Sequence, residues 1–165
     1  ALSNINKSFI SYGDILYRRG SSYERLKNYE KSDEDLLNSL RANPNDPYVL
    51  NYLAYSWLER NYKINEAIEM LLIAYKQKKE DAFIIDSLGW SYYLIKDYEL
   101  AESYIRKALQ IRPNDPVIMD HYGDILWKSG QKLQARYYWK NVIKINNNSN
   151  VNKEDIKNKL LLGLN

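Results

Sequence analysis

Small and apolar residues recur along this chain with a period of about 34 residues. One register of small residues recurs at intervals of 34, 35 and 34 positions: Gly20, Ala54, Gly89 and Gly123. A second register follows at intervals of 35, 34 and 34 positions: Ser32, Ala67, Ala101 and Ala135. In the first register a large apolar residue follows three positions later, which places the two on one face of a helix. We therefore predict an array of repeats, each built from two helices whose backbones approach closely at the small residues.

Turn signals separate the periods and set the helix bounds. Clusters of Asn, Asp, Pro and Lys occupy 43–47, 78–81, 112–116 and 146–148, and proline in such clusters ends one helix and can begin the next. The segments between them predict helices over 14–27, 30–42, 47–60, 65–77, 82–95, 98–110, 116–129 and 132–145. A ninth helix is predicted over 151–162 as a cap, with Ile156 and Leu160 on its buried side. Its charged side chains are expected to face water: Lys153, Glu154, Lys157 and Lys159.

The third period carries the motif of a known family. It reads Ile85-x2-Leu88-Gly89-x2-Tyr92, followed by Ala101-x3-Ile105 and then Pro113. This spacing resembles the tetratricopeptide repeat family, and phrases such as DSLGWSYYL are similar to a bacterial subgroup of it. The resemblance implies an all-α, right-handed α-solenoid, a single domain over 1–165 with repeats at 13–46, 47–81, 82–115 and 116–147. The chain departs from the pattern at Lys79 and Asn147, which replace the terminal proline, and by one extra residue between 62 and 65.

Composition narrows the functional classes. The chain has 165 residues, 45% hydrophobic and 27% charged, as expected for a globular domain with a substantial core. The 24 Lys and Arg residues exceed the 21 Asp and Glu residues by only three, so no dominating basic field is expected. No apolar run approaches the roughly 18 residues of a membrane span, and the start lacks a signal-peptide pattern, so we expect no membrane insertion. The absence of cysteine excludes disulfides and thiol chemistry, while the compartment and a longer parent chain stay open, because the sequence begins at Ala rather than Met.

The first helices of such repeats line a concave surface, and the residues opposite their core stripe are aromatic and acidic. Asn51, Asp86 and Asp120 hold equivalent places, where short polar side chains could bond the backbone of a peptide or a helix end. The aromatic residues around them offer the rigid contact area found at binding hot spots, or alternatively pack between repeats and cover the floor of the groove. The predicted peptide-binding groove comprises Tyr17, Tyr48, Asn51, Tyr55, Phe83, Asp86, Trp90, Tyr93, Asp120, Asp124 and Trp127.

The charge of the groove predicts the chemistry of its ligand. Some tetratricopeptide domains hold a C-terminal carboxylate with Lys, Arg and Asn, but the corresponding places here carry other residues: Tyr17, Ser21, Tyr52, Phe83 and Ser87. The acidic side chains Asp14 and Glu24, with the three groove aspartates, would repel an acidic tail. We therefore expect a protein or peptide ligand that is apolar and carries Lys or Arg, or a helix that offers its N-terminus.

Neither catalysis nor a cofactor is predicted. The single histidine, His121, lies beside Asp120 and near Asp124, a grouping that could suggest a base or a partial metal site. No second histidine, no cysteine and no glycine-rich phosphate loop accompany it, so we expect a histidine that is structural or simply exposed, no metal and no enzyme activity.

Two other binding functions compete with the groove. Basic residues such as Arg106, Lys107 and Lys140 fall on the second helices and could contact nucleic acid, but interspersed acids favour a solvated exterior. The apolar segments 2–9 and 160–164 could instead pack against another copy and make the protein a self-associating scaffold.

Overall fold

The computed structural model describes residues 11–145 and 151–164, and all regular structure within these ranges is α-helical. The helices are α1 (Tyr12–Arg25), α2 (Tyr29–Ala42), α3 (Pro47–Glu59), α4 (Ile64–Gln77), α5 (Ala82–Leu94), α6 (Tyr98–Ile111), α7 (Pro116–Lys128), α8 (Lys132–Lys144) and α9 (Lys153–Leu162). Every predicted helix is present, and each observed end lies within two residues of the predicted one. The predicted contribution of residues 2–9 to self-association lies outside the described residues, as does the departure at Asn147.

The helices stack as four consecutive pairs. The most extensive contacts are α1 with α2, α3 with α4, α5 with α6, and α7 with α8, and each second helix also contacts the first helix of the next pair. The first helices touch in series, α1 with α3, α3 with α5, and α5 with α7, while α9 packs against α8. This is the predicted α-solenoid, and its first helices share one surface, which we call the first-helix face.

Aspartate caps start most of the first helices. Asp81 Oδ1 accepts from the backbone N–H groups of Phe83 and Ile84 at 3.0 and 3.2 Å. Asp46 and Asp115 cap α3 and α7 in the same way, each followed by proline at the first helical position. The turn signals seen in the sequence therefore fix where the first helices begin.

Glycine lies where paired helices are closest. A Cβ added to Gly89 would lie 2.7 Å from Ile105 Cγ1, and one added to Gly20 would lie 2.9 Å from Leu36 Cγ. In the second register, Ala67, Ala101 and Ala135 are completely buried. The small-residue registers are therefore the contact seams within each pair, as the period predicts.

The one extra residue of the second repeat is absorbed by a turn. Residues 60–63 link α3 to α4, whereas three residues link the two helices of the other pairs. Asn61 and Lys63 both adopt left-handed backbone conformations in this turn. Arg60 fixes it by donating to both carboxylate oxygens of Asp33 at 2.8 and 3.1 Å and by lying over the Tyr29 ring. The helical pairing is unchanged on either side of the insertion.

Buried apolar residues form one continuous row of clusters through the stack. Leu53, Leu88 and Ile105 are completely buried between successive helices, and Trp139 fills the last pair. Ile156 of α9 joins the final cluster, as predicted for a capping helix. Within the described ranges no helix is both long and apolar enough to cross a lipid bilayer.

Candidate functional site

The eleven predicted groove residues all lie on first helices, and the structure divides them by exposure. Tyr48 and Phe83 are exposed, at 51% and 49%, whereas Asp86 and Asp124 are buried. The others are half-buried: Tyr17, Asn51, Tyr55, Trp90, Tyr93, Asp120 and Trp127. We call the surface around Tyr17, Tyr48, Asn51 and Phe83 the open part of the first-helix face, and the surface around Asp120, Asp124 and Trp127 the filled part.

An aromatic stack occupies the centre of the first-helix face. The Trp90 indole lies between the His121 imidazole and the Tyr93 ring, with centroid distances of 4.2 and 4.6 Å and interplanar angles of 15° and 14°. Tyr55 lies 6.3 Å from His121, so the stack joins α3, α5 and α7. The alternative that these aromatic residues pack between repeats therefore describes Trp90 and Tyr93, which contact each other and α7.

The single histidine is an internal cation. His121 Nδ1 lies 2.9 Å from Asp86 Oδ1, and both side chains are buried. Burial would lower the pKa of His121, but the Asp86 carboxylate, with further contributions from Asp120 and Asp124, raises the pKa to about 9. The protonated imidazole therefore donates to Asp86, and its charge is balanced inside the protein.

Sequence proximity is a poor guide to this pairing. His121 adjoins Asp120 in the chain, yet the carboxylate it contacts is Asp86, 35 residues earlier. That separation is one repeat length, which is the signal that could have revealed the contact. Within the described ranges no group of three or more His, Asp or Glu residues could hold a metal ion.

The prediction that Lys159 faces water is wrong. Its Nζ donates to Asp120 Oδ1 at 2.7 Å and to both carboxylate oxygens of Asp124 at 2.8 Å, and the side chain is only 18% exposed. Asp124 also accepts from Trp139 Nε1 at 3.0 Å. The two carboxylates of the filled part are thus held by a lysine of α9 because that helix crosses close enough for its long side chain to reach them.

The charges of the filled part depend on one another. Burial would lower the pKa of Lys159, but Asp124 and Asp120 outweigh it and raise the pKa above its usual value. Burial and the Asp120 charge raise the pKa of Asp124, although Lys159 opposes this shift. Removing the lysine would therefore leave two adjacent carboxylates, one of them buried, without their main partner.

The end of α9 covers Trp127. The indole Nε1 donates to the carbonyl oxygen of Leu164 at 2.9 Å, and Arg136 Nη1 donates to the carbonyl oxygen of Leu160 at 2.9 Å. The Arg136 guanidinium also lies 5.4 Å from the centre of the Trp127 ring. The filled part is therefore occupied by the protein's own chain.

The open part has no such cover among the described residues. Tyr17 packs edge-to-face on Tyr52 at 5.7 Å. Lys78 lies 5.6 Å from the centre of the Tyr48 ring, and Arg112 lies 4.8 Å from the centre of the Phe83 ring. Two buried polar atoms of the central region have no hydrogen-bond partner in the described structure: Asn51 Oδ1 and Trp90 Nε1. Both atoms have almost no surface accessible to solvent, so they lie beneath the open part and not on it.

Comparison with known proteins relates the chain to repeat proteins. A family model described as tetratricopeptide repeat matches residues 13–147. The TPR repeat-containing protein PA4667 of Pseudomonas aeruginosa is 32% identical over 111 residues, which are 67% of this chain and 19% of that protein. The match thus spans about a fifth of that relative's length.

Solved structures share the architecture. MamA from Desulfovibrio magneticus RS-1 has a TM-score of 0.70 at 17% identity, with 84% of this chain and 78% of that chain covered. PilF of Pseudomonas aeruginosa has a TM-score of 0.69 at 21% identity, with 83% and 62% covered. At these identities the likeness shows the fold, which agrees with the stacked helical pairs described above.

Proposed function

This chain belongs to the tetratricopeptide repeat family, and on that premise we propose that it binds a segment of a partner protein on the open part of its first-helix face. The function is that of a non-catalytic interaction module. The observation that carries the proposal is the exposure of two large aromatic side chains at equivalent places of successive first helices, Tyr48 and Phe83. Large exposed aromatic side chains are typical anchors for a protein segment, which offers apolar side chains that pack against them.

The repeat register explains why Asn51 Oδ1 has no hydrogen-bond partner among the described residues. Asp86 and Asp120 hold the equivalent places and are met by His121 and Lys159 from the next element along the stack. One repeat before His121 stands Ser87, whose hydroxyl donates to a carbonyl within its own helix at 2.9 Å. The acceptor of the second repeat therefore lacks the donor that the later repeats supply, and Asn51 Oδ1 has no hydrogen-bond partner among the described residues.

The preferred ligand is apolar and basic. His121 and Lys159 offset most of the charge of the three groove aspartates, so the accessible acidic groups near the open part are others. Glu24 Oε2 accepts from the Tyr52 hydroxyl at 3.0 Å. Burial, helped by the Glu59 carboxylate, raises the pKa of Tyr55, which places Glu59 beside the aromatic centre. These carboxylates favour Lys, Arg or a helix N-terminus over an acidic tail in the part of the ligand near Glu24 and Glu59. Lys78 and Arg112 lie beside Tyr48 and Phe83, so the part of the ligand at these two anchors is expected to be apolar.

A peptide array tests this proposal. Matched sets of basic and acidic peptides with the same apolar residues are applied to the wild type and to Tyr48→Ala/Phe83→Ala. We expect preferential binding of the basic set, and about tenfold or greater weakening in the variant, since truncation of aromatic anchors typically has this effect. The matched control is Leu133→Ala/Tyr137→Ala on α8, whose side chains are 83% and 62% exposed. Preference for the acidic set, or equal loss in both variants, would contradict the proposal.

Self-association is a second candidate, favoured by the exposed apolar side chains at the C-terminal end. Leu133, Leu161 and Leu162 are 83%, 76% and 82% exposed, which is unusual for three leucines on neighbouring helices. Sedimentation over a range of concentrations tests it. A mass that rises with concentration in the wild type, and no longer does so in Leu161→Ser/Leu162→Ser, would favour a scaffold over a monomeric receptor.

A further inference from the structure

Helix α9 fills the C-terminal end of the first-helix face through contacts that a separate peptide could reproduce. The Lys159 ammonium reaches Asp120 and Asp124, and the Trp127 indole donates to the carbonyl oxygen of Leu164. These contacts join a long cation, a backbone acceptor and an aromatic floor. They are side-chain and backbone groups at the C-terminal end of a helix, with no group that requires α9 to be part of the same chain.

A glycine is required where this helix ends. Gly163 has a φ of +78°, and a Cβ at this position would fall on the Trp127 ring. Any side chain there would be strained by the backbone conformation and would clash with the indole. The surface therefore accommodates a lysine, a glycine four residues later and an apolar residue directly after it, as in Lys159, Gly163 and Leu164.

Helix α9 and the two residues after it hold to the last core cluster through Ile156, Leu160 and Leu164. The helix has ten residues, and Ile156 is the one buried residue among them. Leu161 and Leu162 point away from the stack and are mostly exposed. A helix of this length is marginal in isolation, so its docking depends on its contacts with the rest of the protein. These are the burial of Ile156 in the last cluster and the contacts to Asp120, Asp124 and Trp127.

Building on the proposed role in protein binding, we propose that Asp120, Asp124 and Trp127 form a recognition site for a helix C-terminus with the pattern Lys-x-x-x-Gly followed by an apolar residue. In the structure α9 fills this site, and a partner segment with the same pattern binds by displacing it. The lysine is selected because the buried Asp124 carboxylate and its neighbour Asp120 need a cation. The glycine is selected by the Trp127 ring.

The sequence of α9 supplies the probe for a direct test. A fluorescent peptide with the sequence of residues 153–164 is titrated into the full chain and into the full-chain variant Lys159→Ala/Gly163→Val, and anisotropy is measured. In the wild type the tethered α9 competes at an effective concentration on the order of millimolar, so binding of the peptide is weak. In the variant we expect binding at least about tenfold tighter, because its own α9 no longer fits the site.

Peptide variants and one protein variant locate the binding. We call the variant Lys159→Ala/Gly163→Val the released protein. A peptide that carries Lys159→Glu or Gly163→Val is expected to lose binding to it. Adding Asp120→Asn/Asp124→Asn to the released protein should also abolish binding, while adding Tyr48→Ala/Phe83→Ala should leave it unchanged. Loss with the latter pair would place the peptide on the open part and overturn the inference, whereas failure of the array experiment alone would leave this site standing.

If the variant Lys159→Ala/Gly163→Val does not fold, hydrogen exchange on the wild type tests whether the peptide displaces α9. With the same peptide in large excess, amides of α9 should exchange faster because the helix is displaced, while those of α1 and α2 should be unaffected. Unchanged exchange in α9 at saturating peptide, or equal binding of the peptide with glutamate, would show that α9 is a permanent cap and overturn the proposal.

Discussion

Two cationic side chains, one buried and one half-buried, link successive elements of the stack. His121 on α7 meets Asp86 on α5, and Lys159 on α9 meets Asp120 on α7. In each pair the acid occupies the same register of its repeat and the cation comes from the following element. The charges of Asp86, Asp120 and Asp124 are thus offset by two side chains, His121 and Lys159. The contribution of each to stability can be tested by titration or substitution.

The His121 pair predicts a pH-dependent stability. The pKa of His121 is raised to about 9 in the folded protein, against an unfolded value of about 6.5. The stabilisation is therefore complete below pH 6.5 and is lost as the pH rises toward and through 9, by an amount on the order of a few kcal/mol. Thermal unfolding of the wild type and His121→Gln between pH 6 and 9.5 measures this. The pH range stops below the usual tyrosine pKa of about 10, so that tyrosine ionisation does not contribute. We expect the wild type to lose Tm more steeply, and parallel curves would contradict the assignment.

Helix pairs were largely predictable because their determinants are local. The spacing of Gly20, Ala54, Gly89 and Gly123 marks the seams, and Asp-containing turns mark the starts, so helix bounds followed from the sequence. The acidic register of the first-helix face was visible in the same way. The cations that pair with these aspartates, His121 and Lys159, could not be predicted, because their contacts depend on how the helices pack against one another. The charged helix position of Lys159 therefore indicated solvent, although its side chain reaches inward.

The contact seams predict opposite effects for two glycine substitutions. Gly89→Ala places a methyl group 2.7 Å from Ile105 Cγ1 and 3.2 Å from the Ile105 backbone nitrogen, whereas Gly13→Ala meets its nearest neighbour at an ordinary 3.5 Å. We expect Gly89→Ala to lower the free energy of unfolding by about 1–3 kcal/mol through overpacking. Gly13→Ala should be neutral or stabilising by up to about 1 kcal/mol, because alanine favours the helix. Urea denaturation measures both, and equal destabilisation would argue against a seam at Gly89.

The described helices form a linear stack, so a substitution that destabilises one end should have little effect on the stability of the other. Among the described residues most contacts join neighbouring helical pairs, with Tyr55 on α3 and His121 on α7 as an exception. Helix α9 contacts α8 and the filled part. Stability in such arrays is a sum of repeat and interface contributions. The cap therefore protects the fourth repeat directly and the first repeat hardly at all.

Lys159 tests this directional protection, with Lys157 as the matched control. Lys159→Ala removes the partner of two carboxylates and should cost about 2–4 kcal/mol, with faster amide exchange in α7 and α8 but not in α1 and α2. Lys157 pairs on the surface with Glu154, and Lys157→Ala should change stability by less than about 1 kcal/mol. Equal effects of the two substitutions, or faster exchange throughout the chain, would contradict a local cap.

The stack of Trp90 on His121 has an optical consequence. A protonated imidazole in contact with an indole accepts an electron from its excited state and quenches its emission, and the two rings lie 4.2 Å apart and nearly parallel. Trp90 should therefore be dark while His121 is charged and should brighten when the proton leaves or when the rings separate. The protein carries in its centre an intrinsic fluorophore whose intensity reports the charge of its only histidine and the spacing between its third and fourth repeats.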